Sequence, residues 1–178
     1  MQAVAEAVSV KLASSSERRV IEGLSQFYIY DFSEMEPTDS SKLEFDDQGS
    51  YPLLPNLDSY WRLEAFWPLL IRLEQSLVGF ALINTHSHGG GSVEHNMAEF
   101  FVARKYRRRG VATEAARRIF ARYPGFWEVA VAARNLRALA FWSHALAEAP
   151  NVGQLAMREG DGAHWRGPIW SFRTAASI

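Results

Sequence analysis

The sequence predicts a mixed α/β sheet flanked by helices. Three observations carry that reading. Short apolar runs with strand character recur along the chain, separated by turn residues. Between them lie stretches with helical spacing of apolar residues, most clearly Arg18 to Tyr30, Gly110 to Tyr123 and Leu136 to Ala147. Their order is strand, helix, two hairpin-linked strands, a further strand, then strand and helix in alternation, which suits one sheet rather than a bundle or a sandwich.

Taken in order, Val4 to Leu12 alternates enough for a strand. Ser14-Ser15-Ser16-Glu17 starts a helix, with Ser to cap and an acid in the first turn. Arg18 to Tyr30 continues it, with Val20, Leu24, Phe27 and Tyr28 near one face. Residues 34–56 are polar and hold Pro37, Pro52 and Pro55, so an irregular segment with pieces of short helix is expected there. Phe66 to Leu73 and Leu77 to Asn84 read as strands joined at Glu74-Gln75-Ser76. His86 to Gly91 is a flexible turn, and Asn96 to Ala103 is the next strand. Pro124-Gly125 ends the Gly110 helix, and Phe126 to Ala132 is a buried strand. Val152 to Met157 and Pro168 to Phe172 are closing strands. At 178 residues, with no repeat, the chain is expected to form a single domain spanning 1–178.

Composition narrows the function. A formal net charge of −1 leaves no global field to draw the protein to nucleic acid or membrane. No run approaches the ~20 apolar residues of a membrane span, and the first twelve residues lack the flank and apolar core of a signal peptide. A cytoplasmic protein is the expectation. With no cysteine, disulfides, thiolate metal sites and a cysteine acyl-enzyme are excluded. His86, His88 and His95 tempt a metal reading, but glycines follow and no carboxylate completes the set; a surface turn and no metal are expected.

Positive charge is instead local. From Arg104 to Arg109, five of six residues are Lys or Arg, directly between a strand and an alanine-rich helix. The first N–H groups of a helix lack internal partners and carry the positive end of its dipole. Gly110 and Ala112 are small enough for a diphosphate to approach the backbone. The run is neither a Walker loop nor the three-glycine dinucleotide fingerprint.

Arg107-Arg108-Arg109-Gly110-Val111-Ala112 resembles the acyl-CoA-binding signature of the GNAT N-acetyltransferase superfamily, Gln/Arg-x-x-Gly-x-Gly/Ala. Asn135-Leu136-Arg137-Ala138-Leu139-Ala140-Phe141-Trp142 resembles that family's downstream Asn-x-x-Ala-x-x-Phe-Tyr. The Tyr-Asp-Phe-Ser-Glu run at Tyr30 to Glu34 is similar to one in a predicted-acetyltransferase group within the superfamily. The resemblance implies a mostly antiparallel sheet with one splayed strand pair, whose gap takes the pantetheine arm. It implies acetyl-CoA as cosubstrate, held by Phe101, Val102, Ala103, Arg107, Arg108, Arg109, Gly110, Val111, Ala112, Thr113, Asn135, Phe141 and Trp142. A backbone N–H of Phe101 to Ala103 would meet the thioester carbonyl.

Glu99 is the base candidate: a carboxylate on an apolar strand, where burial raises its pKa. Trp142 departs from the family, which often has a tyrosine there to protonate the leaving thiolate. An indole N–H is too weak an acid for that, so Trp142 is expected to pack on the arm. Tyr28, Tyr30, Asp31, Phe32 and Glu34, with walls from Tyr51, Tyr60 and Trp61, are the candidate acceptor contacts; rings and carboxylates together suit a cationic amine. The leading function is N-acetylation of a small-molecule or exposed amine. A non-catalytic CoA-binding module is the alternative, and nucleic-acid binding through Arg104 to Arg109 ranks last. A homodimer is compatible with the sequence.

Overall fold

A computed structural model describes residues 7–175. Seven strands form one sheet: β1 (Val8–Leu12), β2 (Trp67–Leu73), β3 (Ser76–Asn84), β4 (His95–Val102), β5 (Gly125–Ala130), β6 (Val152–Glu159) and β7 (Pro168–Thr174). Their spatial order is β1-β2-β3-β4-β5-β7-β6. Three helices flank it: α1 (Arg18–Ser33), α2 (Val111–Arg122) and α3 (Leu136–Glu148). The mixed, mostly antiparallel sheet is the expected one. The expected strand start at Val4 lies outside the described residues.

Every neighbouring pair is antiparallel except β4 and β5. The parallel pair follows from the chain path, because α2 carries the chain from the end of β4 back to the start of β5. Their register holds only at His95 with Trp127 and Asn96 with Glu128. Beyond those two pairs the strands part, opening a slot between the second half of β4 and the end of β5. This is the splayed pair expected from the sequence.

Opposite the slot, β4 is held to β3 in a register that shifts once. Leu82 faces Glu99 and Ile83 faces Met97, so Ala98 is the extra residue of a β-bulge. The bulge resets which side chains face which way. Met97 and Phe100 join the core beneath α2 and α3, whereas Phe101 packs with α1. Glu99, two residues before Phe101, shares the α1 side.

The core on the α2 and α3 side is aromatic. Trp127 and Phe172 stack with ring centroids 6.3 Å apart, and Phe120 meets both edge-on at 5.0 and 5.1 Å. Ala115 and Ala116 are fully buried and let α2 lie close to the sheet. On the other side, Ile21, Ser25 and Ile29 form the buried stripe of α1 at a spacing of four. Phe27, expected on one face with Val20, Leu24 and Tyr28, is instead 63% exposed. The helix also runs to Ser33, three residues beyond the expected end. Residues 34–56 contain no helix, and Leu57–Trp61 forms a short 3-10 turn. Gln26 pins this segment to α1, donating to the Tyr51 carbonyl (3.1 Å) and accepting from its N–H (2.7 Å).

Gly79 on β3 is a close-approach glycine. A Cβ built there would lie 2.0 Å from the Phe101 carbonyl oxygen of β4. Gly79→Ala is therefore expected to push β4 from β3 and lower stability by roughly 1–3 kcal/mol, as overpacking does. Thermal or urea unfolding measures it; an unchanged midpoint would show that β4 yields freely at this point.

Candidate active site

The parted half of β4 presents backbone groups to the slot. Ala103 N–H donates to the Val78 carbonyl (2.8 Å). In an antiparallel ladder, pairing alternates along the strand. Phe101 therefore also bonds to β3, and Phe100 and Val102 direct their N–H and C=O groups into the slot. The Val102 carbonyl there accepts from Arg107 Nε (2.7 Å). Of the three residues expected to meet a thioester carbonyl, Val102 has its N–H on the slot side, and the N–H of Ala103 is already taken by β3.

At the end of β4 the chain makes a 3-10 turn over Arg104–Tyr106 and then a sharp reversal. Arg108 (φ 57°) and Gly110 (φ 79°) both adopt left-handed conformations. Such a run turns successive N–H groups to one side and favours an anion. Gly110 precedes α2 directly, and Glu114 N–H to Gly110 carbonyl (3.0 Å) is the first bond of the helix. The N–H groups of Val111, Ala112 and Thr113 thus lack helical acceptors. Arg108, Arg109, Gly110 and Thr113 are exposed. Ala112 has no bulk to block the approach.

Across the slot stands α3. Asn135 caps it, its side chain accepting from Ala138 N–H (3.0 Å), so its role here is to start the helix. Phe141 is half-buried and stacks on Phe100 with a 5.8 Å centroid distance and a 10° interplanar angle. Trp142 turns into the core, 5% exposed, against Phe100 (5.2 Å) and Phe120 (6.3 Å). Phe141, more than Trp142, offers ring surface beside the slot.

Glu99 keeps part of its surface accessible, yet protein encloses its carboxyl group closely. Desolvation pushes its pKa up to about 7, while the Tyr28 hydroxyl, within hydrogen-bonding reach, pulls the other way. Burial and the neighbouring carboxylate raise Tyr28 well above the usual phenol value, so it stays a neutral donor. Tyr60 also faces Glu99 and is raised by burial. It belongs to a polar row not anticipated from the sequence. Asn84 Nδ2 donates to the Tyr60 hydroxyl (3.0 Å), and Asn84 Oδ1 accepts from Asn96 Nδ2 (3.0 Å) and from His86 N–H (3.0 Å). Adjacent-strand asparagines on one sheet face were the available signal, but only the β3–β4 register makes them neighbours.

The expected acceptor contacts do not converge. Of Tyr28, Tyr30, Asp31, Phe32 and Glu34, only Tyr28 reaches Glu99. Phe32 packs on Tyr28 (4.7 Å), whereas Tyr30 is 56% exposed on the outer side of α1. Asp31 bonds to Arg104 and Arg107, and Glu34 pairs with Arg137 (3.1 Å). The cause is the helical path through Ser33, which rotates successive residues by about 100°. Arg107, expected at the phosphates, is thus engaged with Asp31 and Val102. The rings of His86 and His88 lie 5.1 Å apart, but His95 packs among Trp67, Tyr123 and Trp127. Among the described residues no group of three or more His, Cys, Asp or Glu side chains is placed to hold a metal ion, and no helix is long and apolar enough to cross a membrane.

The slot thus leads along the bulged β4 to a basic turn and a helix start. Residues 26–146 match the model of the acetyltransferase (GNAT) family. The chain belongs to the GNAT acetyltransferase family. Solved GNAT structures agree in fold at low identity. An acetyltransferase from Thermus thermophilus superposes with a TM-score of 0.63 at 13% identity, covering 94% of this chain and 97% of the other. A GNAT acetyltransferase from Streptococcus agalactiae gives 0.60 at 13%, covering 96% of each chain. The PaiA N-acetyltransferase of Thermoplasma acidophilum, solved in complex with coenzyme A, gives 0.57 at 10%, covering 94% and 99%. No curated protein matches the chain by sequence.

The raised carboxyl of Glu99 makes stability depend on pH. Its folded value, about 7, exceeds the ordinary 4.5, so the folded state binds the proton more tightly. Glu99 therefore contributes stability below pH ~4.5 that is lost as pH rises through about 7. Glu99→Gln removes this dependence. Denaturant titrations are expected to show the variant gaining on wild type between pH 5 and pH 8; a constant difference across that range would contradict the burial of the carboxyl.

Proposed function

We propose that this GNAT protein transfers the acetyl group of acetyl-CoA directly to an amine in a ternary complex, with Glu99 as the base. The observation that carries this reading is the slot: slot-facing backbone groups on β4, a carboxyl with a raised pKa beside its bulge, and helix N–H groups without acceptors at its mouth. The left-handed Gly110 and the acceptor-free N–H groups of Val111 to Thr113 fit a diphosphate. Phe100 and Phe141 offer apolar surface to a pantetheine arm. The coenzyme A bound to the Thermoplasma relative supports the same ligand here.

Acetyl-CoA, when bound, supplies an activated thioester. Val102 N–H is the slot-side donor for the carbonyl oxygen as charge develops on it. Glu99 accepts the proton lost by the attacking amine as the C–N bond forms. When the C–S bond breaks, the thiolate takes its proton from solvent; the indole N–H of buried Trp142 is too weak an acid to supply it. Glu99 together with the Tyr28 and Tyr60 rings suits a cationic amine, either a small molecule or an exposed amine on a larger one.

A second reading, a CoA-binding module without turnover, is favoured by the same Trp142, which stands where relatives often carry a phenol. Turnover of any amine in a screen for released thiol decides between the two.

Two variants test the leading reading. Gly110→Glu puts a carboxylate beside the diphosphate and strains a left-handed position; calorimetry should show CoA affinity falling at least tenfold, on the order of 1.4 kcal/mol. Unchanged affinity in a folded variant would place the ligand elsewhere. Glu99→Gln should lower kcat/KM by roughly a hundredfold or more, the usual contribution of a general base, and erase the activity limb near pH 7 while sparing CoA affinity. A pH profile overlying that of wild type would remove Glu99 from the reaction.

A further inference from the structure

The last turn of α1 lies across the open end of the slot and is held to both of its sides. On the β4 side, Asp31 accepts from Arg104 Nε (2.8 Å) and from Arg107, which also grips the Val102 carbonyl through its Nε (2.7 Å). On the β5 side, Glu34 accepts from Arg137 at the start of α3 (3.1 and 3.5 Å), and Arg134 donates to the Met35 carbonyl (3.5 Å). Residues 104–107 continue β4 after it has parted, and residues 134–137 follow β5. The two acids sit three residues apart, so one helical turn spans the mouth.

Arg107 is three residues before the left-handed Gly110 and belongs to the basic run that suits a diphosphate. Asp31 already fills its guanidinium, with a side chain 17% exposed against 58% for Arg104 and 32% for Arg107. A phosphate and a carboxylate compete for the same planar donors, and a diphosphate brings more charge than Asp31 does.

We propose that Asp31 and Glu34 form a strap that holds the mouth of the slot in the ligand-free protein, and that a diphosphate-bearing ligand takes Arg104 and Arg107 from Asp31 and releases the end of α1. This rests on the cofactor reading above. The strap shares its helix with Tyr28, one turn earlier, which reaches Glu99. Ligand entry at the basic turn thereby loosens the end of the helix that lines the acceptor side.

The test measures CoA affinity of wild type, Asp31→Asn and Glu34→Gln by calorimetry at low salt, alongside hydrogen exchange of residues 30–36 with and without saturating CoA. Asp31→Asn is expected to tighten CoA binding by roughly three- to tenfold, the scale of two partly exposed ion pairs no longer in competition. Glu34→Gln, whose pair is exposed, changes it less. In wild type, exchange across 30–36 rises on CoA binding. An Asp31→Asn variant with equal or weaker affinity overturns the strap, as does exchange that is unchanged or slower with CoA. If Asp31→Asn fails to fold, the wild-type exchange decides. Absence of CoA binding to wild type itself overturns the cofactor reading, and the strap with it.

Discussion

The candidate site depends on one constraint: β4 and β5 are paired at two residues and then part. Parallel strands that stay paired would bury all their backbone groups in the ladder. Here Phe100 and Val102 keep theirs turned to the gap, and only the Val102 carbonyl has a described protein partner, Arg107. The gap persists because each lip is fixed from outside it. β4 is held by β3 through a bulge and by the close Gly79–Phe101 approach. β5 is held by β7 along its whole length, and its Trp127 lies between Phe120 and Phe172 in the core. The slot is a consequence of two well-packed half-sheets meeting at a short seam.

The same geometry sets the chemistry. The bulge at Ala98 turns Glu99 to the α1 side, where rings enclose it and desolvation raises its pKa to about 7. The basic turn follows β4 directly, so the proposed base and the proposed anion site are joined by one continuous segment from Glu99 to Gly110. The end of α1 answers part of that positive charge with Asp31, while Glu34 pairs with Arg137 at the start of α3.

Much of this was legible in the chain. The run from Arg107 to Thr113 has its meaning locally: a strand end, a glycine that tolerates a left-handed turn, and small residues at a helix start. The apolar setting of Glu99 foretold its raised pKa. Contacts between distant segments were not legible. Asp31 meets Arg104 across 73 positions and Glu34 meets Arg137 across 103, and charges alone do not say which partners meet. Tyr28, Tyr30, Asp31, Phe32 and Glu34 looked like one acceptor cluster until α1, continuing to Ser33, put Tyr28 and Phe32 on one side and Tyr30 on another. The bulge was equally hidden, since Asn96 to Ala103 reads as a plain strand. Trp142 was visible as a departure from the family, but its burial against Phe100 and Phe120 depends on how α3 settles on the sheet.

The most direct measurement is the crystal structure of the protein grown with CoA. The slot requires the pantetheine arm to run between β4 and β5, bonded to the backbone of Phe100 or Val102, with the diphosphate on the N–H groups of Gly110 to Thr113. A ligand bound elsewhere, or β4 and β5 found paired beyond Asn96 and Glu128 with no room between them, would contradict it.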